Sequence, residues 1–209
     1  LHDALPIFTY ESTLTDPEYI VKQAVSFAPF FGRRGGITFS GGEPTVQAEA
    51  LVPLFKMLRE QHIHICVDSN GAIWNKHVEE LWGLTDLVML DIKEFNAERH
   101  QHITGRSNEQ PLRTARWFED NNHLFWLRYV LVPGVSDFEE DLHALGQHFK
   151  DYVWLEKVQL LPYHTLGVHK YEALGWDYQL KDVSENTPEQ KKRAEEILRS
   201  YFGQKLEVH

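Results

Sequence analysis

The chain has 209 residues, 42% hydrophobic and 25% charged, the proportions of a folded globular protein rather than a disordered one. Its formal net charge of -10 argues against nucleic acid as a partner, because phosphate binding needs a basic face. No apolar run approaches the roughly 20 residues that span a bilayer and no signal-peptide pattern opens the sequence, so no membrane partner and a cytoplasmic setting are expected.

Taken in order, the sequence begins at Leu1 rather than at a methionine, and residues 1–14 differ in style from the rest of the chain. A truncated or foreign stretch is expected there, with one domain over residues 15–209. Thr15-Asp16-Pro17-Glu18 is a helix start, with a capping side chain, a proline in the first turn and an early acid. A strand is expected from Gly36 to Ser40, a helix from about Gln47 to Gln61, a strand from His64 to Asp68 and a helix from Lys76 to Trp82. Leu87 to Asp91 is an apolar run ending in an acid, which suits a strand buried on both faces. Helical stretches near Ala97–Thr104 and Pro111–Asn121 then precede a strand from Leu124 to Val132. Phe138 to Lys150 reads as helix, Val158 to Leu161 as strand, Pro188 to Phe202 as an amphipathic helix and Leu206 to Val208 as a last strand.

Repeated βα units of this kind make either an open doubly wound sheet or a (β/α) barrel. Polar residues gather where the strands end: Glu43, Asp68, Asp91 with Lys93, Arg128 and His164. In barrels that end is the catalytic face, so a full or partial barrel is the expected fold.

Gly41-Gly42-Glu43-Pro44 comes directly after a strand, where paired glycines let backbone approach a ligand and proline ends the strand. Asp68-Ser69-Asn70-Gly71 reads either as an Asx-type turn or as a carboxylate aimed into a barrel mouth. Asp91 and Lys93 share a face by strand period, as an ion pair or as a cation for a substrate carboxylate. His164, beside Tyr163, is either structural or a contact for a heterocycle. The pairs His62/His64 and His100/His102 lack zinc-ligand spacing, and Cys66, the sole cysteine, reads as a buried small hydrophobe. One cysteine excludes an internal disulfide and any iron–sulfur site built from several thiolates of these residues. No dinucleotide fingerprint, P-loop or nucleophile elbow is present. The residues alone therefore describe a barrel-type enzyme for a small zwitterionic or carboxylate ligand.

Ser40 to Pro44, His64 to Gly71, Thr85 to Lys93, Arg128 to Asp137 and Leu160 to Tyr171 together resemble the activating enzymes of pyruvate formate-lyase. These are radical S-adenosylmethionine proteins. The resemblance implies a partial (β/α)6 barrel, here without its first strand and cluster loop. It also implies reductive cleavage of S-adenosyl-L-methionine at a 4Fe-4S cluster, and hydrogen abstraction from a glycine of the lyase. Residue by residue, it implies that Gly41, Gly42 and Glu43 meet the cofactor's amino group. Asp91, Ile92 and Lys93 would lie by its carboxylate and ribose, Arg128 near the cofactor or substrate loop, and His164 by the adenosine. Asp68, Ser69, the Met89 carbonyl and Asp91 resemble the family's monovalent-cation site. The implied partners are pyruvate formate-lyase, through its glycine loop, and an electron donor such as flavodoxin or ferredoxin; a monomer is expected.

The departure is the family's Cys-x-x-x-Cys-x-x-Cys motif, which these residues lack, so the chain alone is expected to be inactive. Alternatives are an activase of another glycyl radical enzyme, a metal- or Schiff-base-dependent barrel hydrolase or aldolase using Lys93, and a non-catalytic barrel that binds a protein.

Overall fold

A computed structural model describes residues 14–32, 35–165, 175, 177–178 and 180–209. Of the expected N-terminal stretch only Leu14 falls among them, and the motif running to Tyr171 lies outside them beyond Thr165.

The elements form for local reasons. Helix α1 (Pro17–Phe27) is capped by Asp16, whose Oδ1 accepts from the Glu18 N–H at 2.9 Å. Strand β1 (Ile37–Phe39) leads through a 3-10 turn, Pro44–Gln47, into α2 (Ala48–Glu60). The turn precedes the expected helix start because Glu43 caps it and Pro44 fits its first position. Strand β2 (Ile65–Ser69) is followed by α3 (Lys76–Leu84), where Asn75 Oδ1 accepts from the His77 and Val78 N–H groups. After β3 (Leu87–Asp91), Asn96 caps α4 (Ala97–Thr104) in the same way, and left-handed Gly105 (φ 73°) ends it. Then come α5 (Glu109–Asp120), β4 (Phe125–Leu131), α6 (Glu139–Phe149), β5 (Leu155–Pro162), α7 (Pro188–Phe202) and β6 (Leu206–Val208). Strand β5 starts three residues before the expected Val158, because Leu155 is buried while Glu156 and Lys157 hide the apolar pattern. A full capping box between Thr187 and Gln190 starts α7.

The strands hydrogen-bond in chain order, β1 to β6, and the pairs β1–β2, β2–β3 and β5–β6 are parallel. A doubly wound sheet reverses its order at a switch point. Sequential order is the winding of a (β/α) barrel, so the fold matches the partial barrel expected. No helix of the described residues is long and apolar enough to cross a membrane.

The chain divides into two compact units, residues 1–91 with 109–126 and residues 92–108 with 127–209. In the first, Phe55, Leu58, Ile65, Val67, Trp82, Val88, Phe118 and Phe125 are fully buried. His123 helps close it, its Nε2 lying 3.1 Å from the Trp82 carbonyl and 2.9 Å from the Thr85 carbonyl at the end of α3. In the second, Leu127, Tyr129, Leu131, Leu145, Phe149, Leu155 and Val158 are fully buried. There α6 meets α7 so closely that a Cβ on Gly146 would lie 2.3 Å from the Tyr201 ring. Each large apolar side chain so buried stabilises by about 1.5–3 kcal/mol.

Candidate functional site

Two glycines shape the loop after β1. Gly41 (φ 88°) and Gly42 (φ 50°) take left-handed backbone that residues with a Cβ rarely adopt. A Cβ on Gly41 would meet nothing within 4 Å, so the backbone there faces open space and glycine is needed for its φ. Glu43 makes a different use of the loop. Its Oε1 accepts from the Thr45 N–H at 3.1 Å, the Thr45 hydroxyl at 2.6 Å and the Ser69 hydroxyl at 2.8 Å. Its Oε2 accepts from the Asn70 N–H at 2.8 Å. Four donors converging on one side chain is the arrangement of a carboxylate, and it ties the end of β1 to the end of β2.

The second loop is built with equal economy. Ser69 Oγ, having donated to Glu43, accepts the Gly71 N–H at 3.0 Å, and Asn70 Oδ1 accepts the Ala72 N–H at 2.9 Å. The expected Asx-type turn therefore forms on Asn70, while Asp68 remains on β2 in register with Met89. Gly71 (φ 64°) is required twice over: a Cβ would lie 2.6 Å from Leu90 Cδ1, and the Thr114 hydroxyl donates to its carbonyl at 2.8 Å. Asp91 ends β3 in the same unit.

In the second unit the burial pattern runs on past β3. Ile92 and Glu94 are buried and Lys93 half-buried, continuing the alternation that leaves Met89 and Asp91 half-buried. Ile92 donates its N–H to the Arg128 carbonyl at 3.0 Å and is 1% exposed, so it serves the ladder and the core. Arg128 sits half-buried on β4, on the face opposite Tyr129. His164 is exposed just past β5, beside Tyr163, whose N–H is held by Asn186 Oδ1 at 2.8 Å. Glu43 and Ser69 thus meet by a direct bond, Asp68 and Met89 by register, Ile92 and Arg128 through backbone.

The sequence motifs passed over Glu94. It is fully buried, its Oε1 accepts the Asn96 N–H at 2.9 Å, and its Oε2 lies 3.2 Å from the Tyr129 hydroxyl. Burial pushes its carboxyl above the usual range, and burial together with the Glu94 charge pushes the Tyr129 phenol up as well. Following the period-two pattern of Leu87 to Asp91 three residues further would have marked Glu94 as an inward-facing acid.

The expected histidine and cysteine readings are met by specific surroundings. His100 is buried, its Nδ1 lying 2.8 Å from the Arg106 carbonyl, and Cys66 is buried in β2. Among the described residues no group of three or more His, Cys, Asp or Glu side chains could hold a metal ion. The two groups implied by the resemblance fare differently. The bare backbone at Gly41 is a cradle that a Cβ would fill, and it fits the amino-acid end of S-adenosylmethionine. A 4Fe-4S cluster is held by several thiolates, and the one cysteine here, buried within a strand, does not fit it.

Comparison with known proteins bears on the same residues. The pattern of the Radical SAM superfamily matches residues 6–145. The pyruvate formate-lyase 1-activating enzyme of Escherichia coli K12 is 40% identical over 187 residues, covering 88% of this chain and 76% of that protein. The pyruvate formate-lyase-activating enzyme of Streptococcus mutans is 40% identical over 185 residues, covering 86% and 70%. A crystal structure of a domain of the Bacteroides vulgatus pyruvate-formate lyase-activating enzyme superposes with a TM-score of 0.68 at 25% identity, covering 83% of this chain and 98% of that one. The chain belongs to the pyruvate formate-lyase-activating enzymes of the radical SAM superfamily, whose chemistry uses S-adenosylmethionine and a 4Fe-4S cluster.

Proposed function

We propose that this chain carries the S-adenosylmethionine-handling barrel, residues 15–209, of an enzyme that activates pyruvate formate-lyase. The activation is reductive cleavage of S-adenosylmethionine and removal of a hydrogen from a glycine of the lyase, leaving a glycyl radical. One observation carries the reading: family membership coincides with a glycine loop whose backbone is bare and whose glutamate is locked to the neighbouring strand end.

A zwitterionic amino-acid group needs acceptors for its ammonium and a cation for its carboxylate. Backbone carbonyls of Gly41 and Gly42, with Glu43 holding the loop, supply the first; Lys93 supplies the second. Asp91 and Ile92 border the ribose and carboxylate, Arg128 lies toward the substrate loop, and His164 takes the adenosine. Asp68, Ser69, the Met89 carbonyl and Asp91 hold a monovalent cation, for which mixed carboxylate and carbonyl oxygens are the suitable hard donors. The electron donor is of the flavodoxin or ferredoxin class, and the chain works in the cytoplasm as a monomer.

The cluster supplies the electron for cleavage, and no step is assigned to these residues through it. Calorimetry with S-adenosylmethionine tests the binding half: the chain is expected to bind, and Lys93→Ala and Gly41→Val to weaken binding at least tenfold. Absence of binding overturns the assignment. Anaerobic addition of iron and sulfide tests the other half. No 4Fe-4S absorption is expected from one thiolate, and a glycyl-radical signal raised in pyruvate formate-lyase by the chain so treated would overturn that expectation.

A further inference from the structure

The hydroxyl of Tyr129 lies 2.9 Å from the Ser136 carbonyl and 3.2 Å from Glu94 Oε2. A phenol has one proton to give. The carbonyl can only accept, and Ser136 is fixed in place, its own hydroxyl donating to the Val130 carbonyl at 2.7 Å and accepting the Val132 N–H at 2.9 Å. With the phenol proton committed to Ser136, the contact between the two remaining oxygens needs a proton of its own. Only Glu94 can bring it.

We infer that Glu94 is an un-ionised carboxylic acid that donates to Tyr129 Oη and thereby fixes the segment bearing Lys93. Its Oε2–H donates to Tyr129, its Oε1 accepts the Asn96 N–H, and the segment 93–96 is pinned to β4 and to the loop after it. Glu94 is then a positioning residue for Lys93. That role rests on the reading that Lys93 meets the ligand carboxylate.

The surrounding charges support the neutral form. Asp141 on α6 is 3% exposed and takes the Arg99 Nε–H at 2.6 Å, while Arg99 Nη2 contacts Asp141 and lies 3.4 Å from Glu140. The Arg99 cation of α4 is thus spent on α6 carboxylates, its guanidinium stacked 4.3 Å above the Phe138 ring. Tyr129 faces Glu94 from β4, and on α6 His148 packs on Phe95, with ring centroids 5.3 Å apart. Burial, then the nearby Asp141 charge, both favour the proton on Glu94, against weaker pull from the Asn96 and Phe95 backbone.

The pH response has a definite sign. A carboxyl whose folded pKa is raised contributes stability that is complete below the usual glutamate pKa of about 4.3 and is lost as pH rises through the folded value. Within that window the folding equilibrium of the 209-residue chain should fall by up to about tenfold per pH unit through this group.

Three measurements test it. Infrared difference spectra of the chain against Glu94→Gln at pH 7 should show the carbonyl stretch of one un-ionised acid. Denaturant titrations from mild acid to mild alkali should show a decline that Glu94→Gln flattens and that Tyr129→Phe alters. Calorimetry with S-adenosylmethionine should show affinity lowered several-fold in Glu94→Ala and restored in Glu94→Gln, which keeps both hydrogen bonds without a charge. A spectrum without the acid band, or a pH decline identical in Glu94→Gln, overturns the proton on Glu94. Equal affinity in Glu94→Ala and the parent overturns the positioning role. Failure of every form to bind S-adenosylmethionine, with the acid band present, instead overturns the function proposed for Lys93 and leaves the neutral acid standing.

Discussion

Glu43 in the first unit and Glu94 in the second are both glutamates placed just after a parallel strand, and both close their loop by accepting the N–H two residues on. They end in opposite charge states. Glu43 gathers four hydrogen bonds from Thr45, Ser69 and Asn70, and it holds them as an anion. Glu94 faces Tyr129, whose single proton is committed to Ser136, and the nearby Arg99 cation serves Asp141 instead. What decides the ionisation of a buried carboxyl here is the number of protons its neighbours can offer, more than its depth. The same side chain is a clamp by charge in one unit and a clamp by proton in the other.

The largest expected effect lies with the charged clamp. Glu43→Ala leaves the Ser69 and Thr45 hydroxyls and the Asn70 N–H without their acceptor, and should cost about 3 kcal/mol in chemical denaturation. Glu43→Gln should cost about 2 kcal/mol, because its NH2 group turns toward a donor. Should Glu43→Gln prove harmless, the contrast between the two glutamates collapses. Tyr129→Phe should come next at about 2 kcal/mol, since the Ser136 carbonyl and the Glu94 acid both lose their partner inside the protein. Gly41→Ala should cost about 1 kcal/mol of left-handed strain with no clash, while S-adenosylmethionine affinity falls more than stability does. Smallest of all should be Glu94→Gln at neutral pH, within about 0.5 kcal/mol of the parent, as expected of an amide replacing a neutral acid. The exposed Arg193–Glu139 fork, at 2.8 Å on both arms, provides a salt-sensitive surface control for these buried clamps.

Much of the fold was legible in the residues. Caps at Asp16 and Thr187, prolines in first turns and the apolar run at Leu87 to Leu90 are short-range signals, read within one turn or one strand. The alternation of strand and helix was enough for a barrel-type winding, and the sequential strand order agrees with it. Gly41 and Gly42 were legible for the same reason, because a positive φ is a property of the backbone at one position.

The partners of the polar side chains were not. Ser69 donating to Glu43 spans 26 residues, Tyr129 meeting Glu94 spans 35, and Thr114 reaching the Gly71 carbonyl spans 43. No periodicity records such distances, since each depends on which strand end lies beside which. The sequence by itself determined where glycine was needed, where strands ended in acids and that a single cysteine could not ligate a cluster. Only the tertiary structure decided that one of those acids is an anion and that another, unmarked in the sequence, is a proton donor. Ionisation depends on the donors that folding brings within about 3 Å, and those come from elsewhere in the chain.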